Sequence, residues 1–455
     1  MNDRELVDDV VRLSRKWGAE HADALLIRQE EKAAGVFGQR VQLSGAGETA
    51  RLTLRLFRDH KGAVISTHDF NEKTLSSMVE RAFDMMRQTS ADKHLGSAEP
   101  SQVGALGADL QIFDERLANL TLGGLEEFAL AAEQAVMRRG VAGTRPVTAN
   151  CQLQTQTVSL CNSEGFSGSY RSTTATLTVN TVAENAADEG GLDSGRRSQL
   201  GAATVVSRSL EGLDVERTAE RAALDLSAKE GARPAPSGEA PVLLSPPAAR
   251  AVAAMLLQLC SGPATLFVEA ATLGGMGETV CSPLVTLVDD ATKEKGLGSA
   301  PFDHEGVRPE RKTVIERGVL KDFLLNSYYA RVLQRSSTGN AVASTDARFG
   351  VRPSNAYVEA GDASPDEIVA DIRRGFLITR FLSYSMALAS NFTQAATGFW
   401  IEAGKITHPV RAAAVVAPLQ EMLKNVVAVG TDLDHNAAVA SPSLLVSKMN
   451  VSSLM

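Results

Sequence analysis

The stretch "VTANCQLQTQTVSLCNSEGFSGSYRSTTATLTVNTVAE", Val147 to Glu184, decides the fold class. Two long runs, rich in Thr and half-polar, flank the turn-forming segment "NSEGFSG". They predict a long β-hairpin, and strands of this composition point to an exposed sheet. Helical patterns lie on both sides, roughly Leu125 to Arg139 before the hairpin and Asp214 to Lys229 after it. The chain therefore reads as α+β.

Upstream, Leu6, Val10, Val11, Leu13 and Trp17 share one face of a helix over Asp3 to Trp17. "ADALLIRQEE", "ARLTLRLF" and "KGAVISTHDF" read as strands by their period of two. In "NEKTLSSMVERAFDMMRQ", Leu75, Met78, Val79, Ala82 and Met85 line a helical face, with Asn71 or Thr74 as cap. Residues Thr89 to Gly107 are a connecting loop. Downstream, "EGARPAPSGEAP" has the prolines and glycines of a linker. "PVLLSPPAARAVAAMLLQLCSG" follows as strand, turn and apolar helix, roughly Pro247 to Cys260. The remainder reads as short strands with brief helices near Asn326–Leu333, Pro365–Arg374 and Pro418–Lys424. The expected layout is an N-terminal α+β domain over 1–230 with two subunits (about 1–90 and 108–230), a linker at 231–240, and a mostly β domain over 241–455.

A chain of 455 residues is too long for one ordinary core. Its net charge of -8 is spread without a Lys/Arg block, so neither nucleic acid nor an anionic membrane is an expected partner. No apolar run approaches a membrane span, and the acidic, polar N-terminus lacks a secretory h-region. Cys151, Cys161, Cys260 and Cys281 form no C-x-x-C and read as reduced core thiols of a cytoplasmic protein.

His304-Glu305, in "FDHEGVRPERKTVIERGVLKDF", suggests the start of a zinc helix. A zincin needs a second His one turn on, but Arg308 stands there, and Gly306 and Pro309 oppose a helix. The other six histidines are scattered singly. "STGNA", Ser337 to Ala341, reads either as an amide nest beside a ligand or as a tight loop with Asn340 in left-handed geometry. In "DFLLNSYYARVLQ", Leu325, Tyr328, Tyr329 and Leu333 read as core. A hydrolytic site rebuilt from Asp303, His304, Glu305 and Arg331 is a further reading, set against a solvated charged loop.

"GSAPFDHEGVRPERKTVIERGVLKDFLLNSYYARVL", "SSTGNA", "ATGFWIEAGKITHPV", "LKNVVAVGTDL" and "SPSLLV" occur in the order typical of the TldD/TldE (PmbA) family of peptidases. "GAEHADALLIR" and "LRLFRDHKGAVISTHDF" extend the resemblance to the N-terminal half. The resemblance implies a TldD/PmbA-like fold and one of two kinds of subunit. The TldD kind carries H-E-x-x-x-H on a helix and a late Cys, and the TldE kind lacks them. Matched to that helix, this chain places Ala253, Ala254 and Gln258 at the zinc positions, and no Cys follows Cys281.

The resemblance thus implies no catalytic residue and no metal in this chain. Zinc is expected in a TldD-type partner, within a complex that cleaves unfolded peptides, as in peptide maturation by leader removal or natural-product biosynthesis. The alternative is a self-associating peptide-binding scaffold. Asp303, His304, Glu305, Arg331 and Asn340 are candidate chamber-lining or peptide-contact residues. An extended peptide would add to a sheet edge, offered by the long hairpin or by a C-terminal strand. Between Arg380 and Ala396 the sequence departs from the TldE-like pattern, as it does with His at 304. These departures bear on the chamber wall and suggest a specialised peptide substrate.

Overall fold

The computed structural model describes residues 2–139, 144–184, 198–227, 231–266, 274–382 and 391–454. Helix α1 (Asp3–Lys16) leads into β1 (His21–Phe37), β2 (Arg40–Arg58), β3 (Lys61–Thr67) and α2 (Glu72–Gln88). After the short α3 (Glu115–Ala118) come α4 (Leu122–Arg138), β4 (Thr144–Asn162), β5 (Ser167–Glu184), β6 (Ser198–Ser207) and α5 (Val215–Ser227). The six strands form one antiparallel sheet ordered β3-β2-β1-β4-β5-β6.

The long hairpin forms as its turn residues require, with Cys161 opposite Ser167. It lies inside the sheet for only part of its length: β1 flanks β4, but β6 pairs with β5 only over Ala175–Glu184. The Ser167–Thr174 half of β5 has no strand on its outer side among the described residues, so it is a sheet edge, as are β3 and β6. β1 and β2 also run far beyond their predicted apolar cores. Gly38 and Gln39 both take φ of 60°, which suits a tight reversal. The buried Glu133 carboxylate of α4 accepts both of their amides at 2.7 Å, fastening the tip.

Alternation turns Ala22, Ala24, Leu26, Ala34 and Val36 of β1 to one face of the sheet. Helices α1 and α2 cover one end of that face, and α4 and α5 cover the other. Asn71 caps α2, accepting the Thr74 amide at 2.8 Å. Met85, expected on the buried face of α2, is 44% exposed, while Phe83 and Met86 are buried. Met85 lies at the margin of the apolar stripe, and α1 closes over the other margin, where Trp17 stacks on Phe83.

The C-terminal region runs β7 (Gly238–Leu244), α6 (Pro246–Leu259), α7 (Gly262–Thr265), β8 (Leu287–Asp290), β9 (Arg311–Glu316), β10 (Val319–Leu320), α8 (Ser327–Val332), β11 (Ala341–Val342), β12 (Gly350–Val351), β13 (Ala356–Val358) and α9 (Pro365–Ala370). It ends with β14 (Arg374–Phe381), β15 (Asn391–Glu402), β16 (Lys405–Pro418), α10 (Leu419–Lys424), β17 (Val426–Val429), β18 (Val439–Ala440) and β19 (Leu444–Ser453). One sheet has the order β16-β15-β14-β7-β19-β17, and β16 also pairs with β19, closing five strands into a barrel. A second sheet, β10-β9-β8-β13-β18, packs into the same core, as does α6.

The expectation of short strands here is corrected: β15, β16 and β19 have 12, 14 and 10 residues. Register shifts between Ala396 and Gly398, and between Trp400 and Ile401, break the alternation that would reveal such length. Val242, Leu244, Phe376, Ile378, Trp400 and Val446 fill the core with Val252, Ala253 and Leu256 of α6. No helix among the described residues is long and apolar enough to cross a membrane. The four cysteines are free, and burial pushes the Cys151, Cys161 and Cys281 thiols up to about 12.

Candidate functional site

The helix-free face of the N-terminal sheet meets the loop that joins β8 to β9. Phe302 is the apolar plug of this seam. It packs with Leu25, Val158 and Leu160, its ring edge-on to Phe166 at 4.8 Å and to Tyr170 at 5.1 Å. The chain then turns at Gly306 (φ 78°), where an added Cβ would meet the Phe166 ring at 2.8 Å.

Behind the plug lies a buried ionic cluster. Arg55 of β2 points out of the helix-free face and is 1% exposed, as is Glu305, while Asp23 of β1 is 2% exposed. The Arg55 guanidinium donates to both Asp23 and Glu305, the latter at 2.7 Å, and lies 4.0 Å from the Phe349 ring. Glu305 accepts the Ser327 amide at 2.8 Å, and Asp23 accepts the Ser97 hydroxyl. Burial works against the Arg55 charge, but Asp23 and Glu305 together hold its pKa above the ordinary range.

Arg331 spends its donors on the carbonyls of His94, Gly96 and Ser97, at 2.7 to 2.9 Å, and so clamps the connecting loop. Asp303 accepts the amides of Glu305, Val307 and Ala341 at 2.9 to 3.0 Å. Burial, and then the Glu305 charge, push its carboxyl up to about 7.

A second buried network orders the loop that follows. Asn340 accepts from Lys312 at 2.9 Å and from Thr338 at 2.7 Å, and donates to Asp289 and to the Arg352 carbonyl at 2.9 Å. Lys312 pairs with Asp289, which also accepts the Ser354 amide at 2.7 Å. The expectation of left-handed geometry at Asn340 is corrected: the residue with positive φ is Gly339, at 68°, because only a glycine fits against Pro309 there. Leu325, Tyr328 and Tyr329 form the core cluster expected of them, and Leu333 packs against it.

His304 differs from its neighbours. It is half-buried, and its Nδ1 accepts the Ala343 amide at 3.0 Å. Burial, and then the charges of Arg352 and Arg51, push its pKa down to about 4. Of the five residues singled out in the sequence, Asp303, Glu305 and Arg331 are bonded at the seam, Asn340 belongs to the second network, and His304 keeps an unused donor. The sequence reading missed Asp23, Arg55, Asp289 and Lys312. Their signal was a charged side chain inside an apolar strand, as in "LRLF", where alternation places Arg55 opposite to Leu54 and Leu56.

Beyond the seam, the helix-free face carries amides and hydroxyls: Asn150, Gln154 and Gln156 of β4, and Thr174, Thr176, Thr178 and Asn180 of β5, all half-buried. Along its border, the 108–116 segment, Tyr170, Arg171 and Lys295 line a groove of about 810 Å³.

The model of the PmbA/TldA metallopeptidase C-terminal domain matches residues 237–453, and that of the central domain matches 115–228. The chain belongs to the PmbA/TldD family. It is 26% identical to the metalloprotease PmbA of Escherichia coli O157:H7 over 401 residues, 87% of this chain and 83% of that one. In fold it is similar to TldE from Thermococcus kodakarensis, with a TM-score of 0.85 at 19% identity, over 98% of this chain and 100% of the other. A candidate DNA gyrase modulator from Bacteroides thetaiotaomicron superposes with a TM-score of 0.89 at 22% identity, over 99% of both chains.

PmbA/TldD relatives are named metalloproteases, so α6, which sits where the family's zinc helix is expected, is the place to test for a metal. Ala253 is buried in the core, Ala254 is half-buried and Gln258 is exposed. Neither alanine has a lone pair to give, and a Gln amide is a poor zinc donor. Among the described residues no three His, Cys, Asp or Glu side chains converge as a metal would need. The residues present do not fit a zinc ion. The departures at 383–390 lie outside the described residues.

Proposed function

We propose that this chain is the zinc-less, TldE-type subunit of a heteromeric peptidase, bound in the cytoplasm to a TldD-type partner that supplies the metal. The observation that carries this reading is the make-up of α6, with Ala253, Ala254 and Gln258 where a metal-binding subunit needs two His and a Glu. In the partner, zinc would polarise the scissile carbonyl and lower the pKa of its water. This chain would build one wall of a closed chamber and hold the substrate.

The bonding of the seam supports a wall role. Asp303, Glu305 and Arg331 give it rigidity by bonding loops together, Asn340 orders the loop that follows, and His304 would face the substrate. The substrate class is unfolded peptide, in line with peptide maturation, and the amide- and hydroxyl-lined sheet face suits main-chain groups with little side-chain preference.

The test is hydrolysis of an unfolded peptide by this chain, by a TldD-type partner, and by their mixture. The expected result is cleavage that needs the partner's metal, is strongest in the mixture and is abolished by a chelator. Cleavage by this chain alone would overturn the reading.

A further inference from the structure

The cross-strand register aligns four residues in one row on the helix-free face. Arg51 of β2 pairs with Ile27 of β1, Ile27 with Val158 of β4, and Val158 with Tyr170 of β5. Four adjacent strands span roughly 14 Å, a distance that long side chains can bridge, and the charges of Arg51 and Arg352 both act on His304. The His304 loop lies over the middle of that row, since Phe302 packs on Val158 and Ile27 borders the same cluster. His304, Tyr170 and Arg352 line a common small cavity.

Each of these groups has donors to spare. Arg51 and Arg352 are exposed, and neither guanidinium has an acceptor or a carboxylate partner among the described residues. The Tyr170 hydroxyl likewise has none. His304 Nδ1 is occupied as an acceptor of the Ala343 amide, so the proton of the neutral ring sits on Nε2, which has no protein partner among the described residues. Arg208, close to Tyr170 and Arg352, adds a third positive charge, although its own hydrogens go to the carbonyls of Thr173, Gly296 and Leu297 and to the Thr174 hydroxyl. The one carboxyl at the cavity, Asp303, has both oxygens turned to backbone amides. Donors without acceptors, beside guanidinium groups without counter-ions, are the complement of an anion.

We propose that Arg51, Tyr170, His304 and Arg352 form a carboxylate-binding subsite that anchors the C-terminal carboxylate of a peptide lying on the helix-free sheet face. The peptide character of this ligand rests on the function proposed above, whereas the anion chemistry rests on the geometry. The subsite gives the wall a fixed end-point from which a peptide would extend.

The test is direct binding by fluorescence polarisation. The probes are a fluorescein-labelled hexapeptide of Ala, Ser and Thr with a free C-terminal carboxylate, its C-terminal amide, and the amide with one internal Glu. The full chain is used, as wild type and as Arg352→Gln and His304→Gln. Both variants keep hydrogen-bonding capacity, and Arg352 is exposed, so the fold is expected to survive; circular dichroism checks this. The free acid is expected to bind about tenfold or more tightly than the amide, a difference of about 1.4 kcal/mol. Arg352→Gln should remove that difference while leaving the amide's affinity unchanged.

If the internal Glu restores binding, the same subsite reads acidic side chains; if it does not, the subsite reads the terminus. Equal affinity for acid and amide, no binding of either, or an equal loss for both in Arg352→Gln overturns the proposal. Because no hydrolysis is measured, a chain that binds the carboxylate yet fails to support a TldD-type partner keeps this inference and loses the functional reading.

Discussion

At the scale of single residues, the seam shows what a buried charge requires. Arg55 lies out of water and is tolerated because Asp23, Glu305 and the Ala347 carbonyl take its hydrogens while Phe57 and Phe349 flank it. Removing one member strands the others, so Arg55→Met and Glu305→Gln are each expected to cost about 3–5 kcal/mol in denaturant unfolding. His304 predicts a pH effect. Its folded pKa of about 4 lies below the ordinary 6.5, so on acidification the unfolded chain takes up a proton first. Its contribution is fully present above about pH 6.5 and is lost as pH falls toward 4. Asp303 acts in the opposite sense. Its folded value of about 7 lies above the ordinary 3.8, so its contribution is lost as pH rises through 7. The measurement is urea unfolding of wild type and His304→Gln at about pH 7.5 and about pH 5. The variant keeps an acceptor for the Ala343 amide and should lose less stability on acidification.

At the scale of elements, the loop joining β8 to β9 holds the two regions together. Phe302→Ala removes the plug from a site lined on all sides and is expected to destabilise by about 3–5 kcal/mol. Gly306→Ala is worse than its single methyl suggests, because it meets both a φ of 78° and the Phe166 ring. A loss of more than about 1 kcal/mol is expected in thermal or urea unfolding. These elements also mark how far the sequence could be read. Period-two runs and the "NSEGFSG" turn were legible because apolar alternation and turn chemistry are local. The full reach of β1 and β2 was not, because polar strand ends persist only where a neighbour pairs with them, and for their tip that help comes from Glu133, about a hundred residues away.

At the scale of the whole molecule, the two regions are joined by the Arg55–Glu305 pair, by Phe302, and by the loop that Arg331 and Tyr328 hold. The chain's two tryptophans, Trp17 at the C-terminal cap of α1 and Trp400 in the barrel, sit one in each region. Single-Trp variants are expected to give coincident urea transitions in the wild-type background and separated ones with Phe302→Ala, because the plug is what couples the two cores. Coincident transitions in both backgrounds would show that the seam's polar bonds suffice.

The sequence by itself determined the α+β class, the long hairpin, the apolar helix α6 without metal donors, and the resemblance that led to the PmbA/TldD family. These rest on local pattern and on residue type, which do not depend on what the chain folds against. Only the tertiary structure decided that the hairpin joins a six-stranded sheet, that the C-terminal strands close into a barrel, and that Asp303, Glu305, Arg331 and Asn340 enter buried hydrogen-bond networks while His304 lies half-buried beside a small cavity. Each of those outcomes depends on partners far apart in sequence, such as Arg55 with Glu305 and β16 with β19. No local rule assigns such partners, because the energy that selects them appears only when the distant groups leave water together.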